Sequence, residues 1–197
     1  MKLQDRLPSS ITVGGKRYKC NLDFRNVLRM MDELGRSDLL PGARDWRALR
    51  CVMRRPPRDV QAGLAAVRAV CFPETGRAVD GKKLTSFEQD ADLIRAAFLQ
   101  EYGINLWRDR LHWVEFSALL GALPEGSRYS DVLGIRARPM PMATKYNADE
   151  RAWLAKMKRL YAIHLSDQEQ AAQYERDVAH IFDVLAWMAA RAEGDSK

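Results

Sequence analysis

Cysteine is scarce in this chain of 197 residues, and its three copies, Cys20, Cys51 and Cys71, lie far apart. An odd number of widely spaced cysteines argues against a disulfide framework, and the lack of a CxxC pair argues against a zinc knuckle. We therefore expect three reduced thiols that are partly buried, as is common for free cysteine.

Long hydrophobic runs are also missing. No stretch of about 18 or more uncharged apolar residues occurs, so we expect no transmembrane helix. The first ten residues, MKLQDRLPSS, lack the apolar centre of a secretory signal. Hydrophobic residues still make up 47% of the chain, which is enough for a real core. The sequence thus predicts a soluble intracellular protein with one domain over residues 1–197.

The short motifs that carry catalysis are absent as well. The chain has no GxxxxGK(S/T), no GxGxxG after a strand and no GxSxG. The histidines His112, His164 and His180 are too far apart to form the i, i+4 pair of a zinc-binding helix. His112 is interpreted as a hydrogen-bonded structural residue. We predict no catalytic residue, no metal or cofactor site, and no enzymatic activity.

What the chain does contain is helical periodicity. Gly14-Gly15 between two short β-prone runs predicts a hairpin over about residues 11–20. A body of about seven helices follows over about 23–191, and residues 192–197 form a frayed tail. The fold class is therefore mainly α. Predicted caps and breaks are at Asp23, Asp45, Pro56-Pro57, Thr85 with Glu88, Gly103, Asn147 with Glu150, and Ser166 with Glu169. A turn is predicted over 36–44 and a short helix near 130–135.

Apolar residues at helical spacing indicate which helix faces are buried. We expect these faces to include Phe24, Val27, Leu28, Met31 and Leu34; Val60, Leu64, Val67 and Cys71; Phe87, Ala91, Ile94, Phe98 and Tyr102; Leu111, His112, Phe116, Leu119, Leu120 and Leu123; Trp153, Met157, Leu160, Tyr161 and His164; and Tyr174, Val178, Ile181, Leu185 and Met188.

Positive charge is concentrated in the N-terminal third. The net charge is +6, but residues 1–60 hold 14 Lys and Arg against 7 Asp and Glu, a balance of +7. Residues 61–197 hold 18 and 19, a balance of −1. The excess is densest at Arg44, Arg47, Arg50, Arg54, Arg55 and Arg58. Such an asymmetry is typical of a surface for an acidic partner.

Arg47, Arg50 and Arg54 are the candidate partner-binding residues, because their i, i+3, i+7 spacing puts them on one exposed side of a helix. A merely solvated helix face is the alternative. Nucleic-acid binding is favoured less, because Trp46 is the only aromatic residue nearby for base stacking. Elsewhere, Trp107 and Trp113 flank the basic stretch 108–110; we expect each to be buried in the core, although one exposed there could anchor a partner.

Three blocks of sequence resemble one known family. They are GGKRYKCNLDFRNVLRMMDEL, SFEQDADLIRAAFLQEYGINL and LHWVEFSALLGALPEGSRYSDVLGIRAR, together spanning about residues 11–35 and 86–138. In this order they resemble the phage tail-assembly chaperone-like family, small proteins encoded next to the tape-measure gene in long-tailed phages and prophages. The arginine-rich segment 44–58 and the long C-terminal helices depart from the family pattern.

The resemblance implies a non-enzymatic chaperone that keeps the tape-measure protein soluble during tail assembly in the host cytoplasm. Its partner would be the tape-measure protein or another phage tail protein. A helical protein can offer grooves to a long amphipathic chain, which agrees with this role. Two alternatives stay open at this point: a structural connector or tail component of the virion, and a nucleic-acid-binding regulator that uses the basic N-terminal third. The oligomeric state is not predicted.

Overall fold

The computed structural model describes residues 4–73 and 83–164. Within these ranges the fold is mainly α, with one two-stranded hairpin and seven helices, which confirms the predicted class. The elements are β1 (Ser10–Val13), β2 (Lys16–Lys19), α1 (Phe24–Leu34), α2 (Pro41–Val52), α3 (Val60–Cys71), α4 (Ala91–Tyr102), α5 (Trp113–Gly121), α6 (Arg128–Ala137) and α7 (Ala148–Leu160). The predicted helix that begins at Ser166 and the tail 192–197 lie outside the described residues.

The hairpin forms where the Gly-Gly pair predicts it. β1 and β2 are antiparallel, with Ile11 opposite Tyr18 and Val13 opposite Lys16. Gly14 and Gly15 have φ values of 54° and 74°, which L side chains rarely adopt and which a two-residue hairpin turn requires. Ile11 is buried, and β1 packs against α3, so the ribbon is supported by the helices.

α1 begins as predicted, because an Asp23 carboxylate oxygen accepts a hydrogen bond from the Arg25 amide at 3.0 Å. Its buried face is only partly the predicted one. Phe24 and Val27 are buried as expected, but Met30 is the third fully buried residue. The predicted Leu28, Met31 and Leu34 are only partly buried, because the buried face is rotated slightly about the helix axis.

The predicted start of α2 is wrong. The helix begins at Pro41, inside the predicted turn, because proline suits the first helical position, where no amide donor is needed. Asp45 is not the cap. It is 6% exposed within the helix and accepts hydrogen bonds from Gln61 Nε2 at 2.7 Å and Arg44 Nε at 3.2 Å. It therefore links α2 to α3.

The starts of α3 and α4 also lie later than predicted. α3 begins at Val60, where an Asp59 carboxylate oxygen accepts from the Ala62 amide at 2.9 Å. α4 begins at Ala91 after Asp90, so the predicted cap at Thr85 and Glu88 is wrong. The Pro56-Pro57 break and the Thr85 and Glu88 pair both lie just before their helices, but the first hydrogen-bonded turn of each helix forms several residues further on. The C-terminal signal of α4 is confirmed, since Gly103 has a φ of 67°.

His112 has the structural role that the sequence predicts. It is the N-cap of α5: its Nδ1 accepts from the Val114 amide at 3.1 Å, and its Nε2 donates to the Pro8 carbonyl at 3.1 Å. Glu115 completes a capping box by accepting from the His112 amide at 3.3 Å. The buried face of α5 is Trp113 with Phe116, whereas the predicted Leu119, Leu120 and Leu123 are only partly buried.

The described residues form two compact units by their contacts. The first unit, residues 4–73 and 87–132, has an aromatic core. The Phe116 ring stacks against Phe24 at 4.7 Å and against Phe98 at 5.2 Å between ring centroids, and Trp113 lies 5.7 Å away. Phe98 is 0% exposed, which confirms its predicted core position. The Trp113 indole donates to the Cys71 carbonyl at 2.7 Å, so its one polar group is satisfied.

The second unit consists of residues 83–86 and 133–164. Its centre is polar: Arg136 is 8% exposed and donates to the carbonyls of Tyr161 at 2.6 Å and Leu84 at 2.9 Å. The predicted face of α7 is wrong, because Leu154 is its buried residue and Trp153 is half exposed. The single-domain prediction for residues 1–197 is not tested by these contacts and stays a prediction.

Among the helices of the described residues, none is both long enough and apolar enough to cross a bilayer.

Candidate partner-binding surface

The three candidate arginines do not share one helix. α2 ends at Val52, so Arg47 and Arg50 lie on it, whereas Arg54 lies in the connection to α3. The predicted i, i+3, i+7 stripe is therefore wrong as a helical arrangement. All three residues are nevertheless exposed, as predicted. Their role in binding a partner stays a prediction.

Arg47 is held within the protein by a carboxylate. Its Nε donates to Glu33 Oε2 at 2.8 Å and its Nη2 donates to Glu33 Oε1 at 3.1 Å. This bidentate ion pair links α2 to α1. The hydrogen bond from Arg47 holds the pKa of Glu33 below its usual value. Arg47 is thus already partnered and offers less to an incoming acidic group than its sequence position indicates.

The remaining arginines of this region form a different surface, which we call the basic connector: Arg50, Arg54, Arg55 and Arg58. All four are exposed. Arg50 donates to the Arg54 carbonyl, and its guanidinium carbon lies 5.5 Å from the centroid of the Trp46 ring, which is 48% exposed. In the described part of the chain, the side chains of Arg54, Arg55 and Arg58 make no hydrogen bond or ion pair.

The backbone that carries the basic connector is anchored at both ends. The Val52 carbonyl accepts from the Asn21 amide at 2.8 Å, and the Met53 side chain is buried. Pro57 is also buried and packs closely on α3, because a Cβ added to Gly63 would lie 2.7 Å from Pro57 Cγ. Pro57 packs on α3 and Asp59 caps that helix, so the segment holds its arginines on an anchored backbone, which lowers the entropy lost on binding.

The charge of this surface decides what it can bind. Asp59 is the one acidic residue within 50–60, and its carboxylate already accepts from the Ala62 amide. Four exposed arginines therefore lie within residues 50–58, and one of them, Arg50, contacts the half-exposed Trp46 ring. Guanidinium groups bind carboxylates and phosphates through paired hydrogen bonds. The surface fits an acidic protein segment or a nucleic-acid backbone, and it supplies no nucleophile or general base.

The thiols show no sign of activation. Cys20, Cys51 and Cys71 are all free, and Cys20 and Cys71 are buried, as predicted. Burial raises the pKa of the Cys20 thiol, and burial together with the neighbouring Cys20 raises that of Cys71 to about 12. A thiol that stays protonated is a poor nucleophile and a poor metal ligand. Within residues 4–73 and 83–164, no three His, Cys, Asp or Glu side chains are grouped so as to hold a metal ion.

A second exposed tryptophan, Trp107, carries a feature that the sequence did not reveal. Its ring is 71% exposed, and the Arg95 guanidinium carbon lies 4.0 Å from the ring centroid. The expected core position of Trp107 is therefore wrong, whereas Trp113 is buried as expected; the alternative, an exposed aromatic residue beside Arg108 and Arg110, applies to Trp107. No sequence signal pointed to Arg95. This residue is 12 positions before Trp107 and on the other side of the end of α4, so their contact depends on how the following loop folds back.

These geometric observations can be compared with known proteins. A family model described as Bacteriophage Gp15 protein matches residues 3–163. The chain belongs to the Bacteriophage Gp15 protein family. The match covers the hairpin, all seven described helices, the basic connector and Trp107. No curated protein matches the chain, and no solved structure matches it either. Membership confirms the phage part of the resemblance seen in the sequence.

Proposed function

We propose that this phage protein is a non-enzymatic tail-assembly factor that binds the tape-measure protein during tail morphogenesis in the host cytoplasm. Three observations support the proposal. The chain belongs to a bacteriophage protein family. Its sequence blocks resemble those of tail-assembly chaperones. Its exposed binding features are arginines and tryptophans, which are the residues that dominate protein–protein contacts.

The basic connector is the single observation that carries the proposal. Four solvent-facing arginines on an anchored backbone attract an acidic segment and speed its encounter. The half-exposed Trp46 offers apolar area next to those charges. An amphipathic helix of the partner, with acidic residues beside its apolar stripe, fits both features. Holding such a helix would keep a long chain from aggregating while the tail tube grows around it.

The test is copurification of the tape-measure protein encoded by the same phage with tagged parent and variants. The decisive variant is Arg54→Glu with Arg55→Glu and Arg58→Glu, which reverses three charges whose side chains make no hydrogen bond or ion pair with any residue that the structure describes. The matched control reverses three exposed charges on the hairpin, Lys16→Glu, Arg17→Glu and Lys19→Glu, and gives the same net charge.

We expect the connector variant to lose most of the tape-measure protein at moderate salt, and the hairpin variant to retain it. Melting curves of both variants check that they fold. Equal retention by the parent and the connector variant would overturn the role of this surface, and failure of the parent to copurify the tape-measure protein would overturn the function itself.

The same proteins distinguish the two alternative functions. A filter-binding assay with DNA and RNA over a salt series tests the regulator, whose affinity should fall steeply with salt. Purified virions test the structural component, because an assembly factor should be missing from them whereas a connector should be present in a fixed copy number.

A further inference from the structure

The loop after α4 is held rigidly by its own hydrogen bonds. Gly103 ends α4, and the Asn105 carbonyl then accepts from the amides of Arg108 at 2.9 Å and Asp109 at 2.8 Å. The Asn105 side-chain oxygen accepts from the Trp107 amide at 3.0 Å, and Asp109 Oδ2 accepts from the Asn105 amide at 2.7 Å. The backbone on either side of Trp107 is therefore fixed by a closed set of local bonds.

A residue of α1 ties this loop to the core. Arg25 Nη2 donates to the carbonyl of Leu106 at 2.7 Å and to that of Asp109 at 2.8 Å. The same guanidinium lies 4.6 Å from the Phe24 ring, and the Leu106 side chain is buried. One arginine thus bridges two carbonyls on either side of Trp107 and ties the loop to α1.

On this rigid support, the Trp107 indole points outward. Arg95 covers one part of the ring at 4.0 Å and is itself paired with Asp92 at 2.8 Å. Leu99 is 53% exposed and lies one turn further along α4, on the same side as Arg95. An indole, a guanidinium and a leucine side chain are thereby presented to solvent from a backbone that is hydrogen-bonded in place.

The charges near the indole favour an acidic partner. Arg108 and Arg110 are exposed, and their side chains form no ion pair or hydrogen bond within the described residues. Asp92 pairs with Arg95, and Asp109 accepts a hydrogen bond from the Asn105 amide. A partner that brings carboxylates meets two arginines without an ion pair among the described residues, whereas Asp92 and Asp109 are already engaged.

We propose that Arg95, Leu99, Trp107, Arg108 and Arg110, which we call the Trp107 patch, form a second docking point for an acidic amphipathic segment of the tape-measure protein. The proposal rests on the proposed function and adds the residue that holds the partner. The exposed Leu99 favours a protein over a nucleic-acid strand, because an apolar side chain has a counterpart on an amphipathic helix and none on a sugar–phosphate backbone.

The two docking points should affect different steps of binding. A large, rigid aromatic side chain that becomes buried in a complex mainly slows dissociation, whereas exposed charges mainly speed association. Trp107 therefore sets how long the complex lasts. The basic connector, with Arg108 and Arg110, sets how fast it forms and how strongly it depends on salt.

The experiment measures dissociation of the tape-measure protein from copurified complexes. Tagged complex is captured on resin, an excess of untagged parent chain is added, and loss of the tape-measure protein is followed with time at two salt concentrations. The decisive variant is Trp107→Ala. The matched control is Trp153→Ala, the same change at a half-exposed tryptophan of the second unit.

We expect Trp107→Ala to speed dissociation at least about tenfold, as for a residue that dominates an interface. Trp153→Ala should stay within about twofold of the parent. Arg108→Gln with Arg110→Gln should lower the amount of complex formed at low salt and leave dissociation nearly unchanged.

Leu99→Glu provides a second variant in case Trp107→Ala melts below the parent. It places an acidic group at an exposed position without removing any hydrogen bond, and it should repel an acidic partner. Unchanged dissociation in both variants, or equal acceleration by Trp153→Ala, would overturn the Trp107 patch while leaving the proposed function intact. Failure of the parent itself to hold the tape-measure protein would overturn both proposals.

Discussion

The two units of the described chain are built on opposite principles. The first unit buries stacked aromatic rings, with Phe116 in contact with Phe24 and Phe98. The second unit buries a guanidinium, Arg136, whose hydrogen bonds reach backbone carbonyls of two separate segments. Apolar burial does not depend on direction, whereas a buried cation must keep each of its hydrogen bonds.

This difference extends to the surface of each unit. In the second unit Leu154 is the buried residue of α7, while Met142, Tyr146 and Leu160 are exposed. Lys158 Nζ adds a further bond to the Arg136 carbonyl at 3.0 Å, and Arg138 pairs with Glu150 at 2.5 Å. The second unit therefore depends on charge-assisted hydrogen bonds, and the first unit on the volume of its core. Substitutions that remove side-chain volume should therefore destabilise mainly the first unit, and substitutions that remove a charge should destabilise mainly the second.

The largest effect is expected from removing volume in the first unit. Phe98→Ala deletes a fully buried ring next to Phe116 and should lower the free energy of unfolding by about 3–5 kcal/mol. Leu99→Ala, one residue further on and half exposed, is the control and should cost less than about 1 kcal/mol. Urea denaturation measures both. A loss below about 1 kcal/mol for Phe98→Ala would mean that the aromatic core does not support the unit.

The second-largest loss of stability is expected from removing a buried charge in the second unit. Arg136→Met keeps most of the side-chain length but leaves the carbonyls of Tyr161 and Leu84 without their donor, at a cost of about 2–3 kcal/mol. Arg138→Met, which breaks an exposed pair, is the control.

The course of unfolding of Arg136→Met also tests the single-domain prediction. Hydrogen exchange should show the loss in α6 and α7. If α4 and α5 lose protection equally and the protein melts in one transition, the two units unfold as one domain. Separate transitions would instead divide the chain into two domains.

A smaller effect is expected where two elements of the first unit approach closely. Gly63 lies against Leu49 and Pro57, and a Cβ there would come within 2.8 Å of Leu49 Cδ1. Gly63→Ala should therefore destabilise the protein by about 1–3 kcal/mol through overpacking. Gly134→Ala, at a helical glycine with open space around it, should be neutral or stabilising. Thermal melting compares the two, and an equal response would show that Pro57 does not brace the basic connector.

The smallest effect is expected at the exposed Arg47–Glu33 pair. The pKa of Glu33 is lowered by Arg47, so the pair stabilises the fold above the unfolded pKa of glutamate and loses this effect as the pH falls through the folded value. Arg47→Gln should melt slightly below the parent at neutral pH, and the difference should vanish in acid. A melting difference that persists unchanged at pH ~3 would mean that Arg47 acts by packing rather than by charge.

Local signals were reliable where one residue decides the backbone. Gly14-Gly15 placed the hairpin and Gly103 ended α4, because both features require a positive φ. Asp23 placed the start of α1, because its carboxylate bonds to the next turn. Asp45 looked like a second cap of the same kind and is not one. Its carboxylate bonds with Gln61 of α3, a residue that no local pattern connects to it.

In the candidate site, too, some features followed from local sequence and others from contacts between distant residues. Exposure of Arg47, Arg50 and Arg54 followed from composition, but Glu33 of α1 neutralises Arg47, and the end of α2 at Val52 separates Arg54 from the helix. The basic connector also includes the exposed Arg55 and Arg58, which the charge count in the sequence already contained. Which arginines remain without a partner depends on the carboxylates that the fold brings near them.

The sequence alone determined that the described part of this protein is mainly helical, that a hairpin precedes the helices and that the positive charge of the chain lies within residues 1–60. The helices follow from hydrophobic periodicity and the hairpin from its turn residues, and both signals act over a few residues. The charge distribution follows directly from the positions of the charged residues in the sequence. The tertiary structure alone decided that Arg25 fixes the loop of Trp107, that Arg95 covers its ring and that Arg136 holds two distant carbonyls. Those contacts join residues far apart in the chain, so they exist only after the helices have packed.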